Sequence, residues 1–259
     1  MASKSKSVWY CTSCGNESPK WMGRCPACGE WNTMVEAPSE ARKGTPARRI
    51  SDSSERKPRK LKDIDYSAEA RVSLGIGELD RLLGGGMVPG SLILIGGEPG
   101  IGKSTLSLQI PLGCPGMKTL YVTGEESERQ VKMRAARLSP GGIPDGCLIY
   151  CETLIDSIID EASAISPDLV IVDSVQTMYT DSIESTPGSV SQIKEVAARL
   201  LRFAKESGVP VILIGHITKD GYIAGPKILE HIVDVVLQFE GENRGSYRIL
   251  RSIKNRFGS

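Results

Sequence analysis

Leu92-Ile93-Leu94-Ile95-Gly96-Gly97-Glu98-Pro99-Gly100-Ile101-Gly102-Lys103-Ser104-Thr105 carries two signals in one stretch. Its first four residues are apolar without alternation, the pattern of a strand buried on both faces. Residues 97–104 then satisfy G-x-x-x-x-G-K-[ST] in full, and Thr105 opens a segment able to continue as a helix. Glycines in such a loop let backbone N–H groups converge on phosphate oxygens with no Cβ in the way. The helix N-terminus behind it adds positive partial charge. Gly97, Glu98, Pro99, Gly100, Ile101, Gly102, Lys103, Ser104 and Thr105 are therefore expected to bind ATP. Lys103 would neutralise β/γ-phosphate charge, and the Ser104 hydroxyl would ligate magnesium.

Working outward, similar β-branched runs recur at Thr119–Thr123, Leu169–Asp173 and residues 211–214. Between them, Glu128–Leu138 and residues 154–165 and 189–207 space their apolar side chains as helices do. This alternation predicts an α/β fold with a central, mostly parallel sheet. Residues 233–240 and 247–253 read as a closing strand pair across the turn-prone 241–245. Within residues 110–118, Pro111, Gly113, Pro115 and Gly116 predict a short or distorted helix after the phosphate loop.

A second carboxylate is needed at the end of another buried strand. Leu169-Val170-Ile171-Val172-Asp173 supplies it, and Asp173 is expected to hold magnesium through water in the Walker B manner. Gly124-Glu125-Glu126 follows a further strand. Either glutamate would polarise the attacking water, or both would be acids favoured in the first turn of a helix. Lys103, Glu125, Glu126 and Asp173 are thus the candidate catalytic residues. His216, at a strand end, would sense the γ-phosphate or DNA, or be an ordinary strand-end histidine. His231, in an apolar stretch of helical pattern, reads as structural.

The chain has 259 residues, 32 Lys+Arg against 31 Asp+Glu, so overall charge argues neither for nor against a nucleic-acid partner. No apolar run approaches the roughly 18 residues a membrane span needs. Residues 1–7 are polar and basic with no apolar secretory core behind them, so a cytoplasmic protein is expected. Three zones appear: a zinc-binding module at 1–36, a flexible basic linker at 37–60, and an ATPase domain at 61–259. Nine Lys/Arg lie between residues 41 and 62. Such a run is a solvated linker or lies along DNA phosphates. Four of seven cysteines form Cys11-x-x-Cys14 and Cys25-x-x-Cys28, the spacing of a closed structural zinc site with Trp9, Trp21 and Trp31 packed around it. Cys114, Cys147 and Cys151 read as inert thiols.

Taken together, these pieces resemble the bacterial RadA/Sms family of recombination and repair ATPases. The likeness runs almost end to end. It starts with Trp9-Tyr10-Cys11 through Cys28-Gly29-Glu30-Trp31-Asn32, then Gly75-Ile76-Gly77-Glu78-Leu79-Asp80-Arg81-Leu82-Leu83-Gly84-Gly85-Gly86 and the P-loop. Gly124-Glu125-Glu126-Ser127, Val172-Asp173-Ser174-Val175-Gln176 and Gly215-His216-Ile217-Thr218-Lys219-Asp220-Gly221 follow, and Lys254-Asn255-Arg256-Phe257-Gly258 matches the family's own signature. The resemblance implies a RecA-like core, a hexameric ring, and DNA-dependent ATP hydrolysis. It also implies branch migration of recombination intermediates beside a RecA-type recombinase. It further implies DNA or trans-acting roles for Lys254, Arg256, His216 and Lys219. Members carry an additional C-terminal domain resembling the Lon protease, beyond the last residue of this chain, and functions resting on that domain lie outside the expectation. Two other readings remain: a P-loop kinase, for which no Arg-rich lid is visible between Asp173 and Val211, and an ATP-switched binding scaffold.

Overall fold

The computed structural model describes residues 9–11, 16–18, 20–36, 60–63, 71–216, 229–241 and 247–258. They fall into two units, Met1–Glu69 and Ala70–Ser259. The 37–60 linker and its basic run lie outside the described residues apart from Lys60 and Lys62, as do Cys14 and Lys219.

In the smaller unit, β1 (Trp9–Cys11), β2 (Glu17–Ser18) and β3 (Met34–Glu36) form an antiparallel sheet ordered β2-β1-β3. Its buried cluster is Cys11, Cys25 and Met34, with Trp9 packed against them. So little apolar surface cannot hold a fold alone. Trp21 and Trp31 do not join it: they are 56% and 69% exposed, which corrects the expectation that all three tryptophans surround the cysteines. Trp21 and Trp31 flank Gly23 instead, and Arg24 lies over the Trp31 ring.

The larger unit runs α1 (Gly77–Leu82), β4 (Leu92–Gly97), α2 (Lys103–Gly113), β5 (Thr119–Thr123), α3 (Glu128–Leu138), β6 (Cys147–Tyr150) and α4 (Ile155–Ile165). It continues with β7 (Leu169–Asp173), α5 (Val190–Ser207), β8 (Val211–His216), β9 (Val235–Gly241) and β10 (Arg248–Asn255). Strand order is β10-β9-β4-β8-β7-β5-β6. Only β10 is antiparallel to its neighbour. Because successive side chains leave opposite faces, Leu92, Leu94, Val170, Val172 and Leu213 meet α4 and α5. Ile93, Ile95, Ile171, Ile212 and Ile214 meet α1, α2 and α3. Each such aliphatic side chain contributes about 1.5–3 kcal/mol on burial, so the apolar runs read from sequence are the middle layer of a three-layer α/β sandwich.

Helix ends follow local chemistry. Ser127 opens α3 with a capping box to Gln130. Ser189 caps α5, and Gly208, at φ +76°, ends it. Pro111 does not stop α2: the helix passes through it and ends at Gly113. Proline removes one N–H, and burial of Leu108, Ile110 and Pro111 against the sheet offsets that loss. His231 is corrected too, since it lies exposed in a turn rather than in a helix. Among the described residues no helix is long and apolar enough to cross a membrane.

Candidate functional site

The sheet brings four strand ends to one edge. In register, Gly97 of β4 lies beside His216 of β8, and Thr123 of β5 beside Asp173 of β7. Residues 98–102 then turn into α2, with Gly100 at φ +76° and Gly102 at φ +112°, values that side chains resist. Space around Gly100 is open, whereas a Cβ on Gly97 would stand 2.8 Å from Phe239 Cβ. The loop is thus a glycine cradle backed by β9. Ser104 and Thr105 lie in the first turn of α2, where N–H groups have no helical partner.

Lys103 is buried, and its Nζ donates to the carbonyls of Gly97 and Glu98, both at 2.9 Å. Burial lowers the ammonium's pKa, opposed by the negative charges of Asp173 and Glu125. Asp173 is buried as well and accepts from Tyr121 Oη at 2.6 Å. A cis peptide joins Asp173 to Ser174.

The two glutamates diverge. Glu125 accepts from Ser174 Oγ at 2.5 Å and lies 3.2 Å from His216 Nε2. Burial pushes its carboxyl up, but hydrogen bonds from Ser174 and His216 and the charges of His216 and Lys103 outweigh it and hold the pKa low. Glu126 instead pairs with Arg134 of α3. Gly124 allows this divergence, since a Cβ there would collide with Thr177 Oγ1 at 2.4 Å. The Thr123 hydroxyl accepts from the backbone N–H groups of both glutamates. Gln176 Oε1 and His216 Nδ1 are buried without hydrogen-bond partners among the described residues, and Gln176 Nε2 donates to the His216 carbonyl. Sequence reasoning assigned no role to Tyr121, Ser174, Gln176 or Arg134. Ser174 and Gln176 stood inside a quoted motif, while nothing marked Tyr121 or Arg134.

Lys254 and Arg256 lie at the opposite edge of the sheet. Asn255 pairs with Val235 at the start of β9, and Asp234 binds Leu92 N, five residues before Gly97. At about 3.3 Å per residue that is about 17 Å along β4. There Lys254 Nζ donates to the carbonyls of Glu230 and Val233, at 2.6 and 2.7 Å. Arg256 and Lys205 pair with the buried Asp234 carboxylate. Arg71 ties Leu83 to Phe257 through both carbonyls, so the glycine turn at 84–86 and the C-terminal pentapeptide form one cluster.

In the smaller unit, the sulfurs of Cys11, Cys25 and Cys28 lie within 4.8 Å of one another, Cys11 and Cys28 at 3.7 Å. Four thiolates about 2.3 Å from one tetrahedral zinc would be about 3.8 Å apart, so the three described cysteines fit that ion. Burial raises the thiol pKa values of Cys114, Cys147 and Cys151, against any thiolate reactivity.

A phosphate loop at a strand end, with a buried carboxylate two strands away on the same edge, defines the larger unit as a P-loop nucleotide-binding domain. A family model described as AAA domain matches residues 57–222, and the chain belongs to that family. Residues 9–36 match the rubredoxin metal binding domain. Among individual proteins, the chain is 51% identical over 264 residues to the DNA repair protein RadA of Bacillus subtilis. It is 47% identical to those of Listeria monocytogenes and Pseudomonas aeruginosa, over 259 and 258 residues. These alignments take in 99% of this chain but 56% of the relatives' length. The resemblance read from the motifs therefore holds.

Proposed function

We propose that this chain is a DNA-dependent ATPase of DNA repair, hydrolysing ATP at residues 97–104. The observation that carries the reading is the convergence of Lys103, Asp173 and Glu125 at one sheet edge: Lys103 Nζ binds the Gly97 carbonyl, Gly97 pairs with His216, and Glu125 contacts both His216 and Ser174, the residue after Asp173. In this account Lys103 exchanges its two loop carbonyls for phosphate oxygens, and the amides of the loop and the first turn of α2 donate to the rest. Ser104 and Asp173 would hold magnesium, which supplies charge neutralisation across the β- and γ-phosphates. Tyr121 keeps Asp173 oriented. Glu125, ionised and held by Ser174 and His216, accepts a proton from the attacking water, and His216 stands where it reports the occupant of the site. Glu126, already paired with Arg134, is left a supporting role in α3.

Distance from their own P-loop supports a trans-acting role for Lys254 and Arg256, toward the nucleotide of a neighbouring copy. A hexameric ring, branch migration beside a RecA-type recombinase and a cytoplasmic setting belong to the same proposal, as does a DNA contact by Lys219. The names of the relatives support the repair role. Zinc, held by Cys11, Cys25, Cys28 and Cys14, would fold the smaller unit; four thiolates leave no open position for catalysis.

The test is phosphate release from ATP with and without single-stranded DNA, beside Lys103→Ala. DNA should stimulate release, and the substitution should abolish it. Absence of turnover on every DNA offered would end the motor reading, and a phosphorylated product in place of free phosphate would identify a kinase.

A further inference from the structure

We propose that Arg248 is a nucleotide-binding residue, its guanidinium closing on the phosphate chain held by the P-loop of the same subunit. The inference rests on the nucleotide-binding reading above and extends it to the start of β10, ahead of the Lys254–Gly258 pentapeptide and outside the phosphate loop and the strand-end carboxylates.

Strand register brings the residue to the right edge. β9 runs parallel to β4 with Gln238 beside Gly96, and the antiparallel β10 starts where β9 ends, Arg248 opposite Gly241. The end of this hairpin and the phosphate loop then touch at three points. A Cβ on Gly97 would meet Phe239, and one on Gly241 would stand 3.2 Å from Ile101 Cδ1. One on Gly102 would stand 2.9 Å from Arg248 Nη1 and 3.8 Å from its Cζ. The guanidinium therefore lies directly over the residue that caps α2.

Charge makes this position informative. Gly102 offers α2 no side-chain cap, so the helix presents its positive end there, with Lys103 next in the chain. A second cation in that place is repelled unless an anion lies between them. The next two arginines along the chain have such partners, Arg251 with Glu240 and Arg256 with Asp234. Arg248 makes no hydrogen bond or ion pair among the described residues and is exposed. Paired guanidinium N–H groups match two phosphate oxygens, and a contact of this kind supplies charge that neither the loop amides nor Lys103 can duplicate.

Affinities of the full chain for Mg-ATP, Mg-ADP and inorganic tripolyphosphate test the assignment by calorimetry. Arg248→Met keeps the side-chain stem and should weaken all three about tenfold or more, the scale of one charge-assisted hydrogen bond. Arg248→Lys should recover part of the loss, and Arg251→Met should change nothing. Unchanged affinities in Arg248→Met overturn the proposal. So does weakening confined to ATP and ADP, which would put the guanidinium on base or ribose. Equal loss in Arg248→Lys with a lowered melting temperature would assign the residue to folding. If the wild-type chain binds none of the three, the P-loop reading fails first and this one with it.

Discussion

Tyr121 Oη donates a 2.6 Å hydrogen bond to Asp173 Oδ2, joining the interior of β5 to the acid at the end of β7. Burial, then the charge and hydrogen bond of Asp173, push the phenol's pKa well above its ordinary value. The folded state thus keeps a proton that the unfolded chain releases near pH 10. The resulting stabilisation is complete below that pH and is lost as pH rises past it. Tyr121→Phe should lose about 1–2 kcal/mol at pH 7 and show a shallower alkaline decline, measured by urea denaturation from pH 7 to 11.

Glu125 and Glu126 should separate cleanly. Glu125→Gln is expected to lower turnover about 100-fold or more, the scale of a positioned general base, with ATP affinity retained. Glu126→Gln should leave turnover within severalfold of wild type and lower stability instead, because Arg134 loses its carboxylate. Phosphate release, nucleotide titration and thermal melting on both variants distinguish the two outcomes.

Ser174 supplies a pH test of the same base. Its hydroxyl favours the charged form of Glu125. Ser174→Ala should therefore raise the carboxyl pKa and move the acid limb of the turnover profile to higher pH. An unmoved limb would separate Glu125 from the rate-controlling ionisation.

All three tryptophans of the chain, Trp9, Trp21 and Trp31, belong to the smaller unit. Tryptophan emission therefore reports that unit alone. Chelation should release one zinc ion per chain and shift the emission as Trp9 leaves the cysteine cluster. Circular dichroism of the larger unit's helices should persist. A chain holding no zinc after metal-replete expression would refute the four-thiolate site.

Asp234 is buried, and its carboxylate serves Leu92 N, Lys205 and Arg256 together. Asp234→Ala leaves the Leu92 amide without an acceptor and should lose about 1–3 kcal/mol. Asp234→Asn keeps one acceptor and should lose less. Denaturant midpoints of the two variants check the order.

Much of the α/β layering was readable because burial on both faces writes itself into consecutive residues. Thr119–Thr123 and Glu128–Leu138 coincide with β5 and α3 residue for residue. Two elements escaped. β6 is an edge strand, half-buried throughout, and Cys147-Leu148-Ile149-Tyr150 holds a single β-branched residue, so it lacks the signature of the central runs. α1 is six residues long and buries only Leu79, too little for a helical period to appear. α2 ends within residues 110–118 as the prolines and glycines there predict, at Gly113. Pro111 stays inside it because proline's penalty is local, while the burial that overrides it comes from the sheet.

Loop and metal chemistry depend on neighbours along the chain, so residues 97–104, the carboxylate after 169–172 and the cysteine pairs could be found in one dimension. The proposed choice between Glu125 and Glu126 required β5, β7 and β8 side by side, since Ser174 and His216 contact one and Arg134 pairs with the other. Sending Lys254 and Arg256 to the far edge while bringing Arg248 over Gly102 required the antiparallel pairing of β10 with β9. Strand order and register decide such juxtapositions, and they come from long-range pairing that no short stretch encodes.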